Sequence, residues 1–443
     1  MENMRKNKKP GYRQTKIGLI PNDWEVKKLS ELGIFLKGKG ILKEQLAETG
    51  LPCVRYGEIY TTHDFVIKEF RSFINDEVAK ESEPIFHNDI LFAGSGETLE
   101  EIGKAVAYIG DEEAYAGGDV VILRTRKNAS SEYLSYILNT DVAGRQKRRF
   151  GQGHSVVHIY ARDLSELLAP IAPLPEQQKI AHILSTWDKA IEKTEQLIEQ
   201  KQQLKKGLMQ QLLTGKLRFK EFVKSKKMKK SKLGLVPDDW EVVNIKEIGK
   251  VGAGGTPSTT KREYWGGDIR WMNSGELNLK YVHEVAGRIT QEGLNNSSAK
   301  FLPKYCVLIG LAGQGKTRGT AAINMVELST NQSVAFIGPD SKKVYYHFLF
   351  YNLDFRYEEL RKLSTGEGGR GGLNLDIIKN VKIAKPSLVE QKKIVSILSI
   401  LDMGIHKLQF QLNQFREGKK GLMQKLLTGE VRIKKLKKYG TIR

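Results

Sequence analysis

Between residues 394 and 415, apolar side chains recur in alternating steps of four and three, at Ile394, Leu398, Leu401, Ile405, Leu408, Leu412 and Phe415. A mean repeat of 3.5 residues keeps one helical face apolar and predicts a coiled-coil seam. The same steps pass through Ile180, Leu184, Trp187, Ile191, Thr194, Ile198 and Lys201, with polar residues at 194 and 201 where the later run has Leu408 and Phe415. Each seam lies in a proline-free stretch of roughly 39 residues, about 58 Å of helix at 1.5 Å per residue. Elsewhere the period changes. AVAYIG (105–110), DVVILRT (119–125), KYCVLIG (304–310) and SVAFIG (333–338) are rich in β-branched or aromatic residues and bounded by Gly, Asp or Pro, which predicts strands. SSEYLSYILN (130–139) and YYHFLFYNL (345–353) predict short intervening helices. The expected fold class is α+β: two globular α/β bodies joined by two long helices.

The chain also repeats itself. IGLIPNDWEV at 17–26 returns as LGLVPDDWEV at 233–242, an offset of 216. Residues 174–218 match 388–432 at an offset of 214: Glu176-Gln177 corresponds to Glu390-Gln391, Asp188 to Asp402, and GLMQQLLTG (207–215) to GLMQKLLTG (421–429). Two matched blocks in one order at nearly one offset mark an internal duplication. The predicted organisation is a basic tail (1–15), a first body (16–172), a first helix (173–215), a basic linker (216–232), a second body (233–386), a second helix (387–429) and a basic tail (430–443). Homologous copies tend to associate about a two-fold axis. An axis perpendicular to the helices would pair them antiparallel with the bodies at opposite ends. The plainer alternative keeps each helix on its own core.

Charge then points to a partner. The chain carries 72 Lys/Arg against 51 Asp/Glu, a net +21. An excess of that size favours an acidic partner, nucleic acid first. It is concentrated at 1–16, 216–232 and 430–443, which carry +5, +8 and +5 and leave the bodies near neutral. Such runs serve either as solvated spacers or as sequence-independent phosphate contacts. No apolar run is long enough to span a membrane, and the N-terminus lacks the apolar segment of a secretory signal. Cys53 and Cys306 offer neither a disulfide framework nor a metal spacing, and a reducing cytoplasm fits them.

Several motifs imitate catalysis. GLAGQGKT (310–317) satisfies the P-loop pattern after a predicted strand. Its counterpart, however, is AGSGET (93–98), which keeps the glycines and replaces the lysine by Glu97, so a shared Gly-rich turn is the simpler explanation. FAGSG (92–96) resembles a loop that holds S-adenosylmethionine, yet no Pro-Pro pair exists to position a target amine. Neither Pro237-Asp238 nor Pro339-Asp340 is followed by a nuclease-like carboxylate and lysine. No catalytic residue and no metal ligand set is expected.

Gly-rich segments with cationic and amide side chains precede each long helix, RRFGQGHSVVH (148–158) and STGEGGRGGLN (364–374). Glycine permits close backbone approach, and Arg, His, Gln and Asn reach phosphates or base edges. The candidate DNA-binding residues are Arg145, Lys147, Arg148, Arg149, Gln152 and His154 in the first body. In the second they are Ser258, Thr259, Thr260, Lys261, Arg262, Arg370 and Asn374. Trp265 and Trp271 are expected in the core.

The blocks GLIPNDWEV/GLVPDDWEV, PEQQKI/VEQKKI and GLMQQLLTG/GLMQKLLTG, with GGTPSTTKREYWGGDIRW (254–271), resemble the specificity subunit of type I restriction-modification systems. The first body departs from the pattern, since residues 34–46 lack a GGTPS-like string. The resemblance implies two target-recognition domains reading a bipartite, asymmetric site in double-stranded DNA, separated by two antiparallel helices. It further implies assembly with two methyltransferase subunits and a restriction/translocase subunit, with S-adenosylmethionine, ATP and Mg held by those partners only. The rival readings are a P-loop nucleotide-binding enzyme and a protein-binding scaffold.

Overall fold

The computed structural model describes residues 9–153, 156–313, 317–363 and 372–433 of the 443. The chain forms two compact units. One holds the described residues up to Thr194 and from Gln411 onward; the other runs Glu195–Phe410. Both long helices are present, at Leu174–Leu212 and Leu388–Leu427, and each contributes a segment to both units.

The body of each unit is built on the same five-stranded sheet. In the first unit the order is Gly33–Lys37, Val120–Thr125, Asp89–Ala93, Ala105–Tyr108, Val66–Ile67. In the second it is Gly249–Ala253, Val334–Pro339, Val307–Gly310, Ala321–Asn324, Tyr281–Val282. Pairing is antiparallel except at the last strand, which is parallel in both. The central strands are apolar on both faces, as expected of a sheet covered on both sides. Helices Ser131–Leu138 and Tyr346–Phe355 belong to the core clusters of the two units. The second sheets differ. The first body has four strands (Ser72–Ile74, Leu51–Val54, Ala114–Ala116, Glu83–Ile85), and the second has three (Gly287–Ile289, Trp265–Met272, Ser329–Thr330).

The helices pair antiparallel within each unit. In the first, Trp187 meets Phe415 edge-on at 5.9 Å, while Glu176, earlier on its helix, meets Arg432, beyond the end of the other. In the second, Lys205 meets Asp402 at 2.5 Å, and Arg218, past its helix end, meets Glu390. Ile180, Leu184, Ile198, Ile394, Leu398, Ile405 and Leu412 are buried, and Trp187, Ile191, Leu401, Leu408 and Phe415 are half-buried. Thr194 is accommodated because its hydroxyl donates to the Ala190 carbonyl at 2.7 Å. Gly418 makes room for Trp187, since a Cβ there would lie 2.9 Å from the indole.

The matched blocks have a common structural reason. Each long helix ends at a glycine in the left-handed region, Gly215 at φ 72° and Gly429 at φ 69°. A Cβ on Gly429 would sit 2.4 Å from Pro21, and one on Gly215 would sit 2.5 Å from Pro237. The LLTG closing one copy therefore packs on the Pro-x-Asp-Trp opening the other, with Trp24 and Trp240 buried beside them. The basic linker is more ordered than its charge suggested. Met228–Ser231 pairs with Gly234–Pro237 as a hairpin, and Tyr12–Thr15 pairs with Gly18–Pro21 in the same way. Gly429→Ala should lower stability by about 1 kcal/mol or more, because it combines a positive φ with that clash. An unchanged urea midpoint would contradict this packing.

Candidate nucleic-acid interface

In the first body the candidates lie on helix Asp141–Phe150, capped by the Thr140 side chain, which accepts from the Ala143 N–H. Arg145, Arg148 and Arg149 are exposed at i, i+3 and i+4, which places three guanidinium groups on one face. Gln152 follows, exposed, with its backbone paired to His158 in both directions at 3.0 and 2.8 Å. Lys147 corrects the expectation. It is 4 % exposed, and its Nζ donates to the Gly103 carbonyl at 2.7 Å. Burial, with a smaller contribution from Arg148, lowers its pKa to about 7. Helical phase turns it away from its neighbours, so it is not available to a phosphate. His154 lies outside the described residues, as does Arg370.

In the second body, Ser258, Thr259, Thr260, Lys261 and Arg262 are exposed on one loop. Lys261 folds back, with Nζ 2.9 Å from the Tyr264 hydroxyl. Beside the loop, Arg270 and Arg288 share Glu284, whose carboxyl they and the Val285 N–H hold at about 2. Trp265 and Trp271 are half-buried rather than core, and they meet edge-on at 5.0 Å. Asn374 is exposed but caps helix Leu375–Asn380, accepting from the Ile377 N–H at 2.8 Å.

The features that imitated catalysis have structural explanations. The Gly94 N–H donates to the Asp119 carbonyl at 2.7 Å, and the Gly310 and Leu311 N–H groups donate to Thr320 and Ser333 at 3.0 and 2.8 Å. The chain after Thr317 enters a turn and then strand Ala321–Asn324, not the helix whose N-terminus a bound phosphate requires. Residues 314–316 lie outside the described set. Burial pushes the Cys53 and Cys306 thiols up to about 12 and about 11, which disfavours a nucleophilic thiolate. Among the described residues no three His, Cys, Asp or Glu side chains gather as a metal site, and no helix is long and apolar enough to cross a membrane.

Two polar networks, partly shielded from water, went unread in the sequence. Asp188 accepts from the Tyr136 hydroxyl at 2.6 Å and from Lys419 on the opposite helix. Asp402 accepts from the Tyr351 hydroxyl at 2.6 Å and from Lys205. The signal was present in the identical KKGLMQ at 205–210 and 419–424, which puts a lysine at the same seam step of both helices. The second network closes the helix ends. Arg432 grips both Glu176 (2.9 and 2.9 Å) and Asp23 (2.7 and 2.6 Å). Arg218 likewise grips Glu390 (2.8 and 2.8 Å) and Asp239 (2.7 and 3.0 Å). These paired bonds raise both guanidinium pKa values.

The type I restriction modification DNA specificity domain matches this chain twice, at residues 21–202 and 237–414. The chain belongs to that family. Its work is DNA recognition in a type I restriction-modification system. The family's two copies coincide with the duplicated frame just described. Among its relatives, the putative type I restriction enzyme MjaX specificity subunit of Methanocaldococcus jannaschii is 28% identical over 444 residues, spanning 96% of this chain and 98% of the relative. The MjaVIII specificity subunit of the same organism is 27% identical over 433 residues, 94% and 95% of the two chains. A crystal structure of the S subunit of a type I system from M. genitalium shares the fold, with a TM-score of 0.59 at 16% identity over 91% of this chain and 96% of that one.

Arg218→Ala should cost about 3 kcal/mol or more, because it strands the buried Glu390 carboxylate. The double variant with Glu390→Gln should recover part of that loss in urea unfolding, and no recovery would show that the pair is not coupled. Lys147 gives a pH prediction. Between about pH 7 and 10.5 the unfolded chain keeps a lysine proton that the folded state has lost, so stability contributed by this site rises with pH across that window. Lys147→Met should flatten the slope of unfolding free energy against pH above 7; an unaltered slope would contradict the buried amine.

Proposed function

We propose that this chain reads a two-part DNA target with unlike halves, one through each body, and has no catalytic site of its own. The observation that carries this is one frame used twice with different exposed surfaces. The sheet order and both ion networks are common to the two units. The first body exposes three arginines on helix Asp141–Phe150, and the second exposes a Ser-Thr-Lys-Arg loop after strand Gly249–Ala253, at a different place in the frame. Guanidinium, amide and hydroxyl groups are the side chains that pair with phosphates and base edges. Divergent surfaces make the half-sites independent, so the target need not be palindromic, and the spacing would be on the order of one helical turn, about 34 Å.

Double-stranded DNA is one partner, and two methyltransferase subunits and a restriction/translocase subunit are the others. S-adenosylmethionine, ATP and Mg would belong to those subunits, and the complex would work in the cytoplasm. The helix segment in the second unit offers a surface for such an assembly: Ile400, Met403 and Phe410 are 60 %, 64 % and 60 % exposed on the side of the helix away from its seam. Apolar side chains in that number on a helix face favour a covering partner.

Two outcomes test the reading. Replacing residues 16–172 by the first body of another family member should change one half of the methylated motif and leave the other half intact. A change in both halves would contradict independent readers. Met403→Asp with Phe410→Asp should abolish co-purification with the methyltransferase while leaving the melting temperature unchanged, and normal assembly would remove this face from consideration.

A further inference from the structure

The loop Gly254–Lys261 is held at several points before it reaches solvent. Gly254 and Gly255 donate backbone hydrogen bonds to the carbonyls of Val334 and Thr330, at 3.1 and 2.8 Å. Side chains are excluded there, because a Cβ on Gly254 would meet the Thr330 carbonyl oxygen at 2.1 Å and one on Gly255 would meet Ser298 at 2.3 Å. Pro257 is buried and has a fixed φ. Thr256 donates to Gln332, and the Ser258 and Thr260 hydroxyls bond each other at 2.8 Å.

Two indoles complete the hold. Trp265 and Trp271 lie at either end of strand Trp265–Met272 and pack edge-on. Trp271 Nε1 donates to the Gly255 carbonyl at 3.0 Å, and Trp265 Nε1 donates to the Ser258 carbonyl at 3.1 Å. An indole has a single polar group, a donor. Each is already directed at the loop backbone, so neither ring has a hydrogen-bonding group left for a base edge. What the pair does is fix two carbonyls, three residues apart, from one strand.

We propose that Trp265 and Trp271 are positioning residues for sequence discrimination. They hold this loop in one shape, so that Ser258, Thr259 and Thr260 meet a half-site already ordered. The proposal rests on the DNA-reading function proposed above. A loose loop would have to be ordered on binding, and it could settle equally on a wrong base pair, so rigidity acts on discrimination more than on affinity.

The test uses the full complex with its methyltransferase and the target found by mapping methylated bases. Trp271→Phe and Trp265→Phe each keep a ring and remove the N–H. Methylation rates are compared on the target and on duplexes with single mismatches in either half. Discrimination within the second half should fall about tenfold, the scale of one lost base contact. Discrimination within the first half and the melting temperature should not move. Unchanged discrimination in both variants, or a loss shared equally by both halves, would overturn the proposal. Lys261→Ala with Arg262→Ala separates the two levels of the argument. If that variant weakens binding to all duplexes and lowers its salt dependence while the Trp variants do nothing, the loop meets DNA and only the positioning role fails. If it too leaves binding unchanged, the second body does not meet DNA through this loop and the positioning proposal fails, while the two-body reading is decided by the exchange of residues 16–172.

Discussion

The structure depends on a half-buried carboxylate that must be shared. Asp188 and Asp402 sit on long helices at positions half-removed from water, where a carboxylate is costly without partners. Each takes a tyrosine hydroxyl from a body and an ammonium from the opposite long helix. Three elements are thereby tied at one point. The Arg–Glu–Asp networks repeat the logic at the helix ends, joining the segment after one helix to the start of the other and to the opening block of a body. Every one of these ties draws from both halves of the sequence. Neither half completes a unit by itself, which explains why the matched blocks stayed alike while the bodies drifted.

Function follows from what those constraints leave open. The frame needs the sheet, the tyrosine, the capped helix ends and the Pro-x-Asp-Trp packing. It places no demand on the exposed face of Asp141–Phe150 or on the loop after Gly255. The second sheets, four strands in one body and three in the other, show how far the chain can vary around a constant core. A reader that must acquire new specificity without losing its partners benefits from that separation.

Periodicity made much of this legible. The twelve seam residues proposed from the four-three pattern are all buried or half-buried. The duplicated blocks were legible as a repeat, whereas the packing of Gly215 and Gly429 against Pro237 and Pro21 was not. What stayed hidden was three-dimensional. Lys147 looked like its exposed neighbours, but helical phase turns it inward to Gly103. Tyr136 and Tyr351 lie in diverged segments, so nothing along the chain linked them to Asp188 and Asp402. The linker read as a charge run became half a hairpin, with Met228–Ser231 antiparallel to Gly234–Pro237 in a pairing that charge alone does not reveal. Trp265 and Trp271 looked like core because composition does not reveal where an indole N–H points.

The central claim is that one chain carries two independent readers. The most direct measurement is a genome-wide map of methylated bases in cells with and without this gene, the proposed methyltransferase being present in both. The account predicts one motif made of two unlike blocks at a fixed gap, absent when the gene is removed. Methylation that persists without the gene, or a motif with a single block, would contradict it.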